Sequence, residues 1–344
     1  MGCYVIAEAG VNHNGSEELA LQLIEVAAKA GADAVKFQTF KAESLVAKGT
    51  ATAAYQKAQT GSDDQFAMLK GLEISPELHI LLLAHCKLHG IEFMSTPFDL
   101  ESAEFLVSLG MRIIKIPSGE LTNLPLISKL AEYDLPMILS TGMATLDEVK
   151  EAVDVVRSVR EELSFEKPLD KVLTILHCTS NYPTADTDVN LRAIYTLGSE
   201  CGLPAGYSDH TSGIVVSVAA VAMGAQVIEK HFTLDKNLPG PDHKASLMPD
   251  ELVEMVSQIR RVERCLGDGI KEPRSNELPI RALVRRSVVL ARDKKIGDTL
   301  QPDDLVLLRP GTGIPPKDLH ALLGRKLNAG KCAGELLAWD DLVL

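Results

Sequence analysis

Two short polar clusters, each closing an apolar run, hold the residues best suited to chemistry. Gly206-Tyr207-Ser208-Asp209-His210-Thr211 and Val227-Ile228-Glu229-Lys230-His231-Phe232-Thr233 each carry one histidine, 21 residues apart. The segment between them, 213–224, has room for one helix. Strand, helix and strand then form a right-handed βαβ unit that delivers both imidazoles to one edge of a sheet. Two imidazoles on neighbouring strand ends can hold a divalent metal and leave positions open for substrate. A histidine standing alone is more simply read as a hydrogen-bond donor to a nearby carbonyl; the matched pair favours the metal.

Other short apolar runs end in the same way. Glu8 closes the first, before Asn12-His13-Asn14. Lys36 and Gln38 sit on the second, and Ser95-Thr96-Pro97 closes the third. Lys115 precedes Ser118-Gly119-Glu120, Ser140-Thr141-Gly142 closes the fifth, and His177 precedes Ser180-Asn181-Tyr182-Pro183. Lysine and glutamate are rarely buried without partners, so on apolar strands they need a ligand or an ion pair. Pairing among themselves is the plainer alternative. Lys36 and Lys115, with Ser95, Thr96, Ser118, Ser140, Thr141, Ser180, Asn181 and Ser208, suit phosphate and carboxylate oxygens. Glu8, Gln38, Tyr182 and Asp242, the last in the rigid turn Pro239-Gly240-Pro241-Asp242-His243, suit sugar hydroxyls or an amide. A metal beside an anion site points to carbonyl polarisation.

The elements that must carry these residues follow from periodicity. Strands are expected at 4–8, 34–39, 92–95, 113–116, 137–140, 172–177, 204–208 and 227–231, and helices at 17–30, 76–89, 101–109, 146–159 and 249–266, among others. Eight strand–helix units of about 250 residues predict a (β/α)8 TIM barrel, whose strand C-termini converge on one mouth. An open doubly wound sheet competes, but no GxGxxG follows the first strand. The long connection 41–75, with Ala53-Ala54-Tyr55-Gln56-Lys57 and the polar stretch 60–65, is of a length often used as an active-site cover. The catalytic domain is expected at 1–267, a linker at 268–285, and a small β-rich module at 286–344, with strands near 286–291, 296–300, 305–308 and 336–339. Arg309, before Pro310-Gly311-Thr312-Gly313, is the most site-like residue of that module.

Bulk properties narrow the class. The 344 residues are 46% hydrophobic and 24% charged, as in an ordinary folded protein. The net charge of −12 argues against nucleic acid or an anionic membrane as partner. Apolar runs fall short of a membrane span. Met1-Gly2-Cys3 does not open a myristoylation pattern, because position 6 is Ile. There is no basic, apolar leader, and the six scattered cysteines form no CxxC pair, so a cytoplasmic location is expected.

The strings Ile6-Ala7-Glu8-Ala9-Gly10-Val11-Asn12-His13-Asn14-Gly15, Lys36-Phe37-Gln38, Ser95-Thr96-Pro97-Phe98, Lys115-Ile116-Pro117-Ser118-Gly119, Ser140-Thr141-Gly142-Met143, Tyr182-Pro183, the two histidine clusters and Gly240-Pro241-Asp242-His243 together resemble the sialic acid synthases. The last module, with Arg309-Pro310-Gly311-Thr312-Gly313-Ile314, resembles their antifreeze-like (SAF) domain. The resemblance implies condensation of phosphoenolpyruvate with the open-chain aldehyde of an N-acetylmannosamine-type sugar, giving a nine-carbon 2-keto acid and phosphate. It implies that His210 and His231 bind Mn²⁺, with Mg²⁺ or Co²⁺ as alternatives, to polarise the aldehyde. Lys36, Thr96, Lys115, Ser118, Ser140, Ser180 and Ser208 would hold phosphoenolpyruvate, with Asn181 an alternative to Ser180. Glu8, Gln38, Tyr182 and Asp242 would contact the sugar, Glu8 also handling a proton. The family's swapped homodimer would bring Arg309 to the N-acyl group in the partner's barrel. The sugar could instead be a 2,4-diacetamido-2,4,6-trideoxyhexose, giving legionaminate or pseudaminate. A metal-dependent aldolase without phosphoenolpyruvate and a non-catalytic carbohydrate-binding protein are the rival classes.

Overall fold

Period-two alternation along eight short strands builds the larger part of the molecule. The computed structural model describes residues 2–52, 57 and 63–343. The strands are β1 (Tyr4–Gly10), β2 (Ala34–Thr39), β3 (Glu92–Pro97), β4 (Ile114–Ile116), β5 (Met137–Ser140), β6 (Leu173–Cys178), β7 (Ala205–Asp209) and β8 (Val227–His231). They pair in parallel in the order β3-β2-β1-β8-β7-β6-β5-β4, and β3 and β4 lie in contact, so the sheet curls into a nearly closed barrel. Helices Glu17–Ala30, Pro76–His89, Leu100–Ser108, Leu124–Ala131, Leu146–Glu162, Arg192–Cys201, Val215–Ala222 and Pro249–Leu266 pack on its outer face. This is the expected TIM barrel.

Helix ends are set locally. Ser16, Ser75 and Asp99 each accept a hydrogen bond from a first-turn amide, and Thr145 forms a capping box with Glu148. Gly31 and Gly90 close helices Glu17–Ala30 and Pro76–His89 in the left-handed conformation, at φ 78° and 67°.

The barrel interior is layered. Ile6, Ala34, Met94, Ile138, Leu176 and Val227 form an apolar plug towards the strand N-termini. One step further along each strand the inward positions become Glu8, Lys36, Thr96, Lys115, Ser140, Ser208 and Glu229. The outward positions, such as Val5, Ala7, Val35, Phe37, Ile114, Leu139, Ile175, Tyr207 and Ile228, join the helix layer in a second core. Gly206 fits this packing because an added Cβ would stand 2.4 Å from the Val227 carbonyl and 2.7 Å from Leu176.

Residues Met1–Gly267 form one compact unit and Asp268–Leu344 another. In the second, β9 (Ser287–Leu290) pairs antiparallel with β10 (Leu305–Leu308), and β11 (Lys326–Leu327) with β12 (Leu342–Val343). Val288, Leu290, Leu300, Ile314, Leu322, Leu327 and Leu337 make its core. Two expectations fail there. The stretches 296–300 and 336–339 form only single bridges, Thr299 with Lys326 and Leu336 with Val289, because tight turns leave no continuous ladder. Helix Leu278–Val284 (7 residues) occupies the C-terminal part of the expected linker 268–285, and groups with this unit. Of the long connection, the described part contains helices Ala42–Leu45 and Gln65–Lys70. The Ala53–Gln56 part of its first motif and 60–62 of its polar stretch lie outside the described residues.

Candidate active site

The inward layer of β1, β2, β4 and β8 places two ammonium groups around one carboxylate. Lys36 Nζ pairs with Glu8, lies 3.7 Å from Glu229 Oε2, and donates to Thr96 Oγ1 at 3.0 Å. Lys115 Nζ lies 3.6 Å from Glu229 Oε1 and donates to Ser140 Oγ at 2.7 Å. Ser208 Oγ donates to the same Glu229 oxygen at 3.1 Å, and Gln38 Nε2 to Glu8 Oε1 at 3.1 Å. Glu8, Lys36 and Lys115 are only 1–3% exposed. The lysines therefore do pair with carboxylates, and they still face a cavity of about 200 Å³.

The carboxyl groups are driven apart in acidity. Burial alone would raise Glu229, but Lys115 and Lys36 outweigh it and hold its pKa at about 2. At Glu8 burial wins over Lys36 and, with Glu229 adding to it, raises the pKa. Burial lowers the Lys115 ammonium despite Glu229, whereas at Lys36 Glu229 and Glu8 outweigh burial and raise it. One carboxylate is thus a fixed anion and the other is inclined to keep a proton, the division on which acid–base sites are built.

Hydroxyls and a thiol complete the wall. Gly142 N–H donates to Ser118 Oγ at 2.9 Å, and Ser118 Oγ lies 3.0 Å from Cys178 Sγ. A Cβ on Gly142 would stand 2.4 Å from Ser180 Oγ and 2.8 Å from Ser118 Oγ, so glycine keeps this wall open.

The two histidines meet at the mouth with ring centroids 5.6 Å apart. His210 Nδ1 donates to the Thr179 carbonyl at 2.7 Å, which leaves Nε2 as the lone-pair nitrogen, 3.0 Å from the Tyr182 hydroxyl. His231 Nδ1 is buried without a hydrogen-bond partner, 3.8 Å from Asp242 Oδ2. Burial lowers His210 to about 4 and His231 well below the ordinary range, so both rings are neutral. A neutral pair with one lone-pair nitrogen and one orphaned nitrogen fits a divalent ion that prefers imidazole. Among the described residues, the pair joins no third His, Cys, Asp or Glu in a group whose ligand atoms all lie within 4.8 Å of one another. The remaining coordination positions would fall to water or substrate.

Of the residues expected from sequence, Glu8, Lys36, Gln38, Thr96, Lys115, Ser118, Ser140, Ser180, Tyr182, Ser208, His210 and His231 all line this one cavity. Asp242 is not among the lining residues, but its Oδ2 lies 3.8 Å from His231 Nδ1; burial, then Glu8, raises it to about 7. Asn181 is exposed and absent from the wall, its carbonyl accepting from Thr184 Oγ1 at 2.8 Å, so Ser180 is the lining residue of the two. Arg309 is exposed just after β10 in the second unit. Sequence reasoning did not single out Glu229, Phe98, Met143 or Cys178 as cavity residues. Alternation would have found Glu229, which shares an inward face with His231 two residues on. Lys230, between them, points outward to Asp209 at 3.0 Å.

A (β/α)8 barrel whose mouth joins a lysine pair, an imidazole pair and a ring of hydroxyls defines an enzyme for small anionic substrates. Residues 23–271 match the NeuB family and 285–343 the SAF domain. The chain belongs to the NeuB family. It is 52% identical over 343 residues to the N,N'-diacetyllegionaminic acid synthase of Legionella pneumophila, covering 99% of this chain and 95% of that protein. The protein of the same name from Campylobacter jejuni is 47% identical, covering 93% and 94%. The crystal structure of the N-acetylneuraminic acid synthetase of Leptospira borgpetersenii superimposes with a TM-score of 0.71 at 35% identity, covering 81% of this chain and 90% of that one. Among the described residues, no helix is long and apolar enough to cross a membrane.

Proposed function

We propose that this enzyme condenses phosphoenolpyruvate with 2,4-diacetamido-2,4,6-trideoxymannose to give N,N'-diacetyllegionaminate and inorganic phosphate. The diacetamido sugar replaces N-acetylmannosamine as the first choice because the two most similar relatives described above carry the legionaminic name. The observation that carries the chemistry is the pair Lys36 and Lys115 flanking Glu229 in a hydroxyl-lined cavity. Phosphoenolpyruvate brings its own phosphate and carboxylate, and both ammonium groups can turn from Glu229 to these oxygens with little movement. Thr96, Ser118, Ser140, Ser180 and Ser208 complete the hydrogen-bond shell. Gln38, Tyr182 and Asp242 orient the sugar.

The enol carbon attacks the aldehyde carbon, and the new C–C bond draws the π electrons of phosphoenolpyruvate. The aldehyde oxygen takes up a proton, and Glu8 is the residue assigned to supply it. Water adds at C2, losing a proton, and the tetrahedral centre expels phosphate by C–O cleavage. Lys36 and Lys115 offset the negative charge throughout. His210 and His231 would hold a divalent ion, Mn²⁺ in preference to Mg²⁺ or Co²⁺, which when bound polarises the sugar carbonyl. The enzyme acts in the cytoplasm as a swapped homodimer, with Arg309 reaching the N-acyl group in the partner's site.

Phosphate release on mixing phosphoenolpyruvate with each of three sugars tests this. The diacetamido-mannose sugar is expected to exceed N-acetylmannosamine and the altrose analogue in kcat/KM by roughly 10-fold or more, since a single small substituent in a pocket already supplies roughly 10–200-fold. Release of phosphate with none of them, or a preference for another, would overturn it.

A further inference from the structure

We propose a second divalent-metal site on the outer surface of the barrel, formed by Glu25, His85 and His89. It is independent of the proposed reaction, since none of the three residues lines the mouth cavity. His85 and His89 stand four residues apart on helix Pro76–His89, which places both rings on one face. Their centroids are 4.5 Å apart. Glu25 comes from the neighbouring helix Glu17–Ala30, and its Oε1 accepts from His85 Nε2 at 3.1 Å. One ligand atom from each residue lies within 4.8 Å of the other two.

A metal at about 2.0–2.2 Å from each donor needs ligand atoms about 3.5 Å apart in a tetrahedron. The Glu25 side chain is 52% exposed and His89 is exposed, so both can rotate to close the difference. The ion takes the place of the proton shared by His85 and Glu25. Two imidazole nitrogens and one carboxylate select Zn²⁺, Ni²⁺, Co²⁺ or Cu²⁺ over Mg²⁺ and Ca²⁺, and leave a fourth position for water. The site ties the helix that follows β1, the strand of Glu8, to the helix that feeds β3, the strand of Thr96. Occupancy therefore stabilises the pair of helices that packs outside β1, β2 and β3.

The untagged full chain, stripped with chelator, is dialysed against Zn²⁺ and its bound metal counted. The parent is expected to hold one more Zn²⁺ per chain than the double variant His85→Gln with His89→Gln, and His210→Ala is expected to keep that additional ion. His210 and His231 are each only 6% exposed and out of reach of a resin-bound ion, so the parent should be retained on Ni²⁺-chelate resin and the double variant should elute early. A hundredfold excess of Zn²⁺ over Kd should raise the parent's unfolding midpoint by about 5 °C more than the variant's. Retained synthase activity shows that the double variant is folded. Equal Zn²⁺ counts and equal retention in parent and double variant would overturn the proposal, as would loss of retention on replacing His320 alone.

Discussion

Glu229 is the carboxylate that both lysines share, and its replacement separates structural from catalytic charge. In Glu229→Gln, Lys36 keeps Glu8 but Lys115 loses its nearest anion. Breaking a buried pair by removing one partner destabilises by roughly 3 kcal/mol. Phosphoenolpyruvate supplies replacement anions, so it should raise the variant's unfolding midpoint more than the parent's. Calorimetry with and without ligand measures this, and a variant as stable as the parent would show that Lys115 needs no fixed partner. Gly142 makes a complementary case. A Cβ there would stand 2.4 Å from Ser180 Oγ and 2.9 Å from Cys178 Sγ. Gly142→Ala is expected to raise KM for phosphoenolpyruvate about tenfold or more while leaving the sugar KM near its parent value, as steady-state kinetics would show. The lysines and histidines were legible in the sequence because a charged or imidazole side chain rarely closes an apolar strand unless a ligand, an ion or an opposite charge holds it there. Glu229 was not singled out, because it sits beside Lys230 and only the facing of β8 tells the two apart: Glu229 points into the barrel and Lys230 out to Asp209.

Strands β2, β5 and β8 fall where periodicity places them, and the others within a residue or two, because every inward position of a packed barrel must alternate with an outward one. Helices Leu124–Ala131 and Arg192–Cys201 were less legible. They are short, 8 and 10 residues, and offer only about two or three turns of apolar periodicity to read. The loop after β1 was least legible of all. Its Asn12 Nδ2 donates to the Phe232 carbonyl at 2.8 Å and to Ser246 Oγ at 2.9 Å, and His13 is fully buried with Nε2 unpaired. Burial, with His79 adding to it, lowers His13 to about 4 from an ordinary 6.5. The unfolded chain therefore binds more protons at this site than the folded one between those values, and stability falls as pH drops from about 6.5 to about 4. The loss from this residue amounts to roughly 3 kcal/mol at most. His13→Asn should flatten part of the acid limb of denaturant-derived stability; an unchanged slope would place the acid sensitivity at other histidines.

At the scale of the whole molecule, the mouth of the barrel is an assembly that no single segment foreshadows: its lining residues span Glu8 to His231. The sequence made the two-part organisation visible through the change in pattern near Gly267, and the structure divides the chain there. It did not reveal helix Leu278–Val284, because Pro279 beside polar, linker-like residues reads as a break, although proline is well suited to a first helical turn. The choice among sugars was also beyond it, since pocket contacts to one or two substituents decide that choice. Arg309 belongs to this scale, because the proposed swap gives each site a barrel from one chain and an arginine from the other. His210→Ala chains and Arg309→Ala chains, each prepared alone, should both be poorly active. When the two are co-expressed, half the dimers are mixed, and each mixed dimer contains one site with an unaltered barrel facing an unaltered Arg309. Activity should recover to about a quarter of the parent's if the arginine acts in trans. If Arg309 serves its own barrel, no mixed dimer contains an intact site and the mixture stays inactive, so phosphate release from the co-expressed pair, measured against the separate variants, decides between the two arrangements.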